Sequence, residues 1–236
     1  MKSRSSAPYW PYGRCALAAG SAGTSNLLTG SGCAGSKGGI AKRYFAIGSL
    51  ASQEEGSALA DVLFGDYNPA GRLVATWVKS LDDLPPMMDY DIRKGRTYMY
   101  FKGQPLYPFG FGLSYTIFEY SNLRLSADSV TAAGEVVASM DIKNTGTRAG
   151  DEVVQLYVKH LNSAVERPIN ELRGFKRITL QPNETRTVRL TVKGADLTYW
   201  DAGKHSFVVE PGKVSIMLGA SSADVRLEKT IEVEDK

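Results

Sequence analysis

Two pairs of acidic side chains are the candidates for carboxyl groups that could take part in acid–base chemistry. Glu54 and Glu55 are adjacent, whereas Asp89 and Asp91 are separated by one residue, just after a run of proline and methionine. An enzyme that works with two carboxyl groups keeps one of them protonated and the other ionised. These four residues are therefore the candidates for catalytic acids and bases in this sequence.

Each acidic pair also has an ordinary structural explanation. The run Ser52-Gln53-Glu54-Glu55 matches a capping box, in which the serine hydroxyl and the second glutamate each accept a backbone N–H bond of the other residue. Capping is the favoured role for both glutamates. Asp89 and Asp91 lie in a predicted loop, where solvated carboxylates are the default and binding residues also occur. In an active chain these aspartates would be the better candidates, because backbone donors keep a capping carboxylate ionised.

Aromatic residues form a second group that could do chemistry. Ten of them crowd between residues 90 and 120, and the exposed face of an aromatic ring can stack on a sugar. Tyr98 and Tyr100 are the candidate carbohydrate-binding residues. The favoured alternative is that the aromatic cluster fills a seam between two parts of the chain, because aromatic rings bury large areas. Pro108, Gly110 and Gly112 fit a rigid corner at such a seam.

Other kinds of site lack support in the sequence. Cys15 and Cys33 can form at most one disulfide, and neither belongs to a zinc-binding pattern. His160 and His205 lie near no nucleophile motif, and the sequence has no GxSxG. Residues 30–37 resemble a phosphate-binding loop but lack its Lys-Ser/Thr order. We expect no metal, no cofactor and no nucleotide.

The charge of the chain is unevenly distributed. Residues 1–53 carry six basic and no acidic side chains, whereas the remainder carries 22 basic and 25 acidic ones. The net charge of +3 therefore does not indicate a nucleic-acid surface. No apolar run approaches the roughly 18 residues that span a membrane, so we expect neither nucleic acid nor membrane as a partner.

The elements that must position these candidates differ along the chain. Residues 1–43 form a basic, Gly/Ser-rich leader without periodicity or a clear signal peptide, and a non-native, fusion-derived origin explains it as well as a targeting peptide does. A helix is predicted from the capping box to Gly65, with Ala58, Leu59, Val62 and Leu63 on one stripe. The turn at Asn68–Gly71 precedes a predicted short, mostly buried strand at Leu73–Trp77. Helix, turn and strand indicate part of an α/β layer.

After about Tyr115 the hydrophobic pattern changes to period two. Strands are predicted around 136–142, 154–158, 188–192 and 214–218, with turn residues between them. Such a series indicates an antiparallel β-sandwich of the immunoglobulin or fibronectin type III kind. The expected core residues are Val136, Met140, Ile142, Leu156, Val158, Leu190, Val192, Ile216 and Leu218.

Six blocks stand in a specific order along the sequence: Gln53–Leu73, Tyr107–Thr116, Lys143–Gly146, Gly150–Val158, Arg167–Lys176 and Pro211–Ser222. Together they resemble glycoside hydrolase family 3, the β-glucosidases and β-xylosidases. The first block is similar to the end of that family's α/β-sandwich domain, the second to its junction with a fibronectin type III-like domain, and the other four to that second domain. The resemblance covers about residues 44–236.

Beyond the leader (1–43), which composition sets apart, the resemblance implies the C-terminal piece of an α/β-sandwich domain (44–117) and a fibronectin type III-like domain (118–236). It also implies an extracellular or periplasmic setting. The family's nucleophile Asp and acid/base Glu have no counterpart in this sequence, so no catalytic residue is carried over. Retaining glycosidases need two carboxyl groups about 5–5.5 Å apart. We expect the chain alone to be inactive.

Three functional hypotheses follow. The leading one is the C-terminal portion of a β-glycosidase, with a β-linked saccharide as the substrate of the whole enzyme. The alternatives are a stand-alone carbohydrate-binding or scaffolding module and an autonomous glycosidase with a locally rebuilt carboxylate pair. We also expect self-association through residues 44–117, because an incomplete α/β layer leaves an open edge and an apolar face.

Overall fold

The structure, a computed structural model, describes residues 55–234 of the chain. The leader, both cysteines, Glu54 and the remainder of the predicted capping box lie outside the described residues, as does the side chain of Glu55. The described residues belong to one compact unit.

One helix and ten strands make up the described part of the chain. Helix α1 spans Glu55–Phe64 and ends at Gly65, whose φ of 86° is the left-handed conformation that glycine adopts readily. The strands are β1 Phe118–Leu125, β2 Ser129–Thr131, β3 Glu135–Asn144, β4 Gly150–Leu161, β5 Glu171–Leu180, β6 Thr185–Lys193, β7 Thr198–Asp201, β8 Ser206–Val209, β9 Gly212–Ser221 and β10 Asp224–Glu234.

The strands form a β-sandwich, as the period-two pattern predicted. One sheet has the order β1-β3-β6 and the other the order β2-β10-β9-β4-β5, while β7 and β8 form a separate hairpin. Neighbouring strands are antiparallel except β2 and β10, which are parallel. All nine predicted core residues are buried in one cluster between the two larger sheets.

The central strands of the five-stranded sheet are buried on both faces, which the alternating pattern did not predict. Val154, Leu156 and Val158 of β4 face the core, and Tyr157 between them is also fully buried. Its neighbour across the strand pair is Met217 of β9, which is 7% exposed and lies outside the core cluster. A second layer therefore covers the outer face of this sheet.

That second layer is the segment 65–117, called here the strap. It contains two short 3-10 turns, Leu81–Asp83 and Ile92–Lys94, and otherwise irregular backbone. The predicted strand at Leu73–Trp77 is wrong: Leu73 exchanges backbone hydrogen bonds with Gly110 and Phe111 and Trp77 forms an isolated bridge with Tyr107, but no continuous strand forms between them and Val74 is 87% exposed. A buried strand needs neighbouring strands and packed layers around it. Among the described residues, no named strand lies beside this segment.

Candidate functional site

The strongest polar feature of the structure is a buried ion pair between the strap and the sandwich. Nη2 of Arg72 donates to Oε2 of Glu152 at 2.9 Å, and the two side chains are 11% and 4% exposed. The hydroxyl of Tyr120 donates to the other carboxylate oxygen at 2.7 Å. Burial raises the pKa of both Glu152 and Tyr120 above their usual values. Both oxygens of Glu152 are thus engaged, Oε2 with Arg72 of the strap and Oε1 with Tyr120 of β1.

No recognised sequence motif includes this site, but the alternation of residues in β4 contains a signal for it. Glu152 has the same parity in β4 as the core residues Val154, Leu156 and Val158, so period two directs it inward. An inward-facing carboxylate requires a partner because an unpaired buried charge is very costly. The identity of that partner, Arg72, lies 80 positions away and could not be read from a local pattern.

A pocket of about 420 Å³ opens beside this ion pair. Arg226 stands over the Tyr120 ring at 4.8 Å and donates to the carbonyl oxygen of Phe118 at 2.7 Å. Its guanidinium also pairs with Asp224 at 2.9 Å. The pocket is lined by strap residues, including Phe111 and Leu113, and by the end of the sandwich. Since each lining arginine has a carboxylate partner, the pocket carries no unbalanced cationic charge for an anionic ligand.

A second anchor joins the strap to the outer face of β4. The amide Nε2 of Gln155 donates to the carbonyl oxygens of Gly110 at 3.1 Å and Ala220 at 2.6 Å, while the Tyr157 hydroxyl donates to its Oε1 at 2.6 Å. Gly110 has a φ of 80°, and a Cβ there would lie 2.0 Å from Oε1 of Gln155. The close approach of the strap to β4 therefore requires glycine at this position.

Tyr98 and Tyr100, the predicted sugar-binding residues, lie in this contact region and are both half-buried. The Tyr98 ring stacks on Phe109, with centroids 4.3 Å apart and planes 15° apart, and meets Tyr157 edge-on at 6.0 Å. Its hydroxyl accepts a hydrogen bond from the backbone N–H of Leu172 at 3.0 Å. These contacts agree with the seam that the sequence favoured for the aromatic cluster.

A third set of contacts ties α1 to the start of β4. Nδ2 of Asn68 donates to the carbonyl oxygen of Ala149 at 2.9 Å, while its Oδ1 accepts the backbone N–H of Tyr115 at 2.8 Å. Arg148 donates to the carbonyl oxygen of Gly65 at 2.6 Å. The end of the helix and the following turn are therefore positioned by the sandwich.

Asp89 and Asp91 lie in a loop, as predicted, and each has a cationic partner. Lys94 donates to Asp89, and Arg93 pairs with Asp91 at 2.9 Å. Asp91 also caps the turn Ile92–Lys94 by accepting the backbone N–H of Arg93. These hydrogen bonds lower the pKa of both aspartates below the usual value. Both are therefore ionised near neutral pH and unsuited to act as a general acid.

No cluster of His, Cys, Asp or Glu within residues 55–234 could hold a metal ion. Burial lowers the pKa of His160 to about 4, so the ring is neutral near pH 7. Within the described part of the chain, no helix has the length and hydropathy to cross a membrane.

Helix α1 and the strap expose several large apolar side chains to solvent. Phe64 of α1 is 83% exposed, and the loop residues Val74 and Met87 are 87% and 84% exposed. Arg96 donates to the carbonyl oxygens of Pro86 and Asp89 at 2.8 and 2.7 Å, so the loop carrying Met87 is held by internal hydrogen bonds. Such a surface is typical of a contact with another protein region.

Two family profiles match the sequence. Residues 47–115 match the glycosyl hydrolase family 3 C-terminal domain, and residues 152–222 match a fibronectin type III-like domain. The curated relatives include a xylan 1,4-beta-xylosidase of Xylanibacter ruminicola, 43% identical over 75% of this chain and 20% of that protein. A periplasmic beta-glucosidase of Salmonella typhimurium is 38% identical over 75% of this chain and 24% of that protein.

Solved structures give the same picture. The beta-D-glucoside glucohydrolase of Trichoderma reesei has a TM-score of 0.70 and 38% identity, covering 78% of this chain and 29% of that one. Beta-glucosidase 3B of Thermotoga neapolitana in complex with glucose has a TM-score of 0.67 and 34% identity, covering 76% and 27%. The chain spans about a quarter of the length of the relatives that it matches.

Proposed function

Because the chain belongs to glycosyl hydrolase family 3, as its C-terminal part, we propose that it braces the catalytic portion of a β-glycosidase. The whole enzyme would hydrolyse β-glucosides or β-xylosides, the activities for which the relatives are named. The sandwich, proposed to begin at Phe118, would hold the strap in place. The strap and α1, proposed to end the α/β-sandwich domain, would contact the portion that carries the catalytic carboxylates.

One observation carries this proposal: the strap is fixed to the sandwich, yet the strap and α1 leave large apolar side chains uncovered. The buried pair between Arg72 and Glu152 and the Gln155 contact to Gly110 fix the strap to the sandwich. Phe64 of α1 and Val74 of the strap are exposed almost completely. Since burying such side chains contributes about 1.5–3 kcal/mol each, their exposure favours a surface that another region covers.

The carboxylates support a bracing role over a catalytic one for the chain alone. A retaining glycosidase needs one protonated carboxyl group and one ionised carboxylate about 5–5.5 Å apart. Asp89 and Asp91 are ionised and paired with cations, while Glu152 is fully engaged. We propose that neither these residues nor Glu54 and Glu55 act as catalysts. Tyr98 is proposed to be a seam residue rather than a sugar platform.

Enzyme assays with and without the missing portion test this function. We expect no turnover of aryl β-glucosides or β-xylosides by the chain alone. Adding the separately produced remainder of a relative, such as beta-glucosidase 3B without its matching region, is expected to give turnover that neither piece shows alone. Turnover by the chain alone that disappears in Asp89→Asn or Asp91→Asn would contradict the proposal and favour an autonomous glycosidase.

The same apolar surface leads us to propose self-association when the catalytic portion is absent. Light scattering on the isolated chain is expected to show a dimer or larger species, and Phe64→Asp is expected to shift it toward monomer. Phe175→Asp is the matched control, because Phe175 is 67% exposed on the edge strand β5. A monomer at all accessible concentrations would contradict self-association.

A further inference from the structure

The hairpin β7–β8 presents two aromatic rings that the contacts between strap and sandwich do not use. Trp200 and Phe207 are directly opposite each other across the hairpin. They are 53% and 70% exposed, and their rings meet edge to face with centroids 5.2 Å apart. Such a pair holds each ring in a fixed orientation. The hairpin thus carries a preformed, solvent-exposed aromatic surface.

The base of this hairpin is firmly attached to the sandwich. Arg167 stands over the Tyr199 ring at 4.7 Å and donates to the carbonyl oxygen of Thr198 at 3.2 Å. The same guanidinium pairs with Glu210 at 3.3 Å, where both side chains are largely buried. In the connecting turn, Asp201 accepts the backbone N–H groups of the following glycine and lysine. The two exposed rings therefore stand on a rigid support.

We propose that Trp200 and Phe207 form a binding site for a β-linked glucan or xylan chain. The aromatic surface itself is independent of the function proposed above, whereas the choice of sugar rests on it. A β-linked glucose or xylose ring has equatorial substituents, so both of its faces present C–H groups to an aromatic ring. The turn residues Asp201, Lys204 and His205 provide polar groups next to the rings for sugar hydroxyls.

The size of the surface favours a saccharide over a protein partner. Aromatic side chains bury about 150–250 Å² each when fully covered, so these two expose on the order of 250 Å² together. A stable protein interface needs about 800 Å² on each partner. In the connecting turn, Ala202 to His205, a single methyl group from Ala202 adds to the apolar area. A surface of this size matches one or two sugar rings.

The position of the hairpin keeps it away from the end of the sandwich that holds α1. The α1 contacts lie at the Gly150 end of β4, whereas Leu161 at the other end pairs with Lys213, three residues after Glu210. A strand of 12 residues is roughly 36 Å long at about 3.3 Å per residue. A protein region that covers α1 would therefore leave Trp200 and Phe207 accessible to a polysaccharide.

Titration of the full chain with oligosaccharides, followed by NMR of the tryptophan indole N–H signals, tests this site directly. The Trp200 signal is assigned by its loss in Trp200→Phe. We expect the Trp200 signal to shift when cellohexaose or xylohexaose is added separately. The Trp77 signal in the strap is expected to stay unchanged. Maltohexaose, with α-linked glucose units and a curved shape, is the matched control sugar and is expected to bind more weakly.

Substitutions give the quantitative test, with calorimetry as the readout for variants that lack the indole. Trp200→Ala and Phe207→Ala are each expected to weaken binding about tenfold, the loss of one stacking contact. Phe175→Ala, an equally exposed aromatic on β5, is expected to bind normally. Thermal melting confirms that each variant is folded.

Three results would overturn the proposal. The first is a Trp200 signal that does not move with either sugar at roughly 10 mM, where sites of weak millimolar affinity are occupied. The second is unchanged binding in folded Trp200→Ala. The third is loss of binding in Tyr100→Ala but not in the hairpin variants, which would favour the residues predicted from sequence. None of these results bears on the enzyme assays, so failure here leaves the bracing function standing.

Discussion

The sandwich and the strap use their hydrophobic side chains in opposite ways. From Phe118 onward, 21 buried hydrophobic residues form one core. Before Phe118, Ala70 is the single buried hydrophobic residue among those described, while Phe64 and Val74 are 83% and 87% exposed. The sandwich strands pair with other strands of the same chain. The strap is instead held to the sandwich by polar and aromatic contacts. A segment can thus be fixed in place without having a core of its own.

The sandwich and the strap are expected to differ in their ability to fold alone. A truncated chain beginning at Phe118 is expected to unfold cooperatively in urea, because its core cluster is complete. It should be less stable than the full chain, since Tyr157 loses its cover and Glu152 loses Arg72. Residues 55–117 alone are expected to show no cooperative transition. Cooperative unfolding of residues 55–117 would show that this segment has a core of its own and would contradict the prediction.

Truncating a leucine should have a large effect in the core of the sandwich and almost none at an exposed position of the strap. Leu156→Ala is expected to lower the free energy of unfolding by about 2–5 kcal/mol, because Leu156 is fully buried and the change leaves a cavity. Leu81→Ala is the matched control at an 82% exposed position and should stay within about 0.5 kcal/mol. Equal effects in urea unfolding would contradict the assignment of the core.

The buried ion pair is where the two parts depend on each other. Arg72→Ala is expected to cost about 3 kcal/mol, because it leaves Glu152 buried without its cation. Arg177→Ala, at a pair whose arginine is 57% exposed, should cost much less. The double variant Arg72→Ala/Glu152→Gln is expected to recover part of the loss, because it removes the unpaired charge. A loss no larger than that of Arg177→Ala would contradict this role.

The loss of stability in Arg72→Ala should also depend on pH. Burial raises the pKa of Glu152, and removing the arginine raises it further. The folded state then binds a proton more tightly than the unfolded state, so stability falls as the pH rises through the folded pKa. The cost of the substitution is expected to be larger at about pH 8 than at about pH 5. Urea midpoints at both pH values provide the measurement.

The smallest effect is expected at the exposed acids of the strap loop. Asp89→Asn and Asp91→Asn remove ion pairs that solvent screens, so the urea midpoint of the full chain should stay within error. Because their pKa values are lowered, any stabilisation is present at neutral pH and disappears as the pH falls below the usual Asp range. A large loss at neutral pH would show that this loop supports the strap fold.

The sequence by itself determined the β-sandwich and its core. Alternation at positions such as Val136 and Met140 is a local property, because successive side chains of a strand point to opposite faces. The end of α1 at Gly65 and the loop containing Asp89 were also predictable, since turn residues and glycine act within a few positions. The family blocks identified the chain because their order along the sequence is itself specific.

Only the tertiary structure decided which segments of the chain pack against each other. The outer face of β4 is buried because the strap crosses it, so Tyr157 and Met217 are inaccessible, and alternation cannot show a second layer. The strand expected at Leu73–Trp77 did not form, because a strand depends on neighbours that its own residues do not specify. Arg72 and Glu152 meet across 80 positions. Such pairings arise from the packing of distant segments, and local spacing carries no information about them.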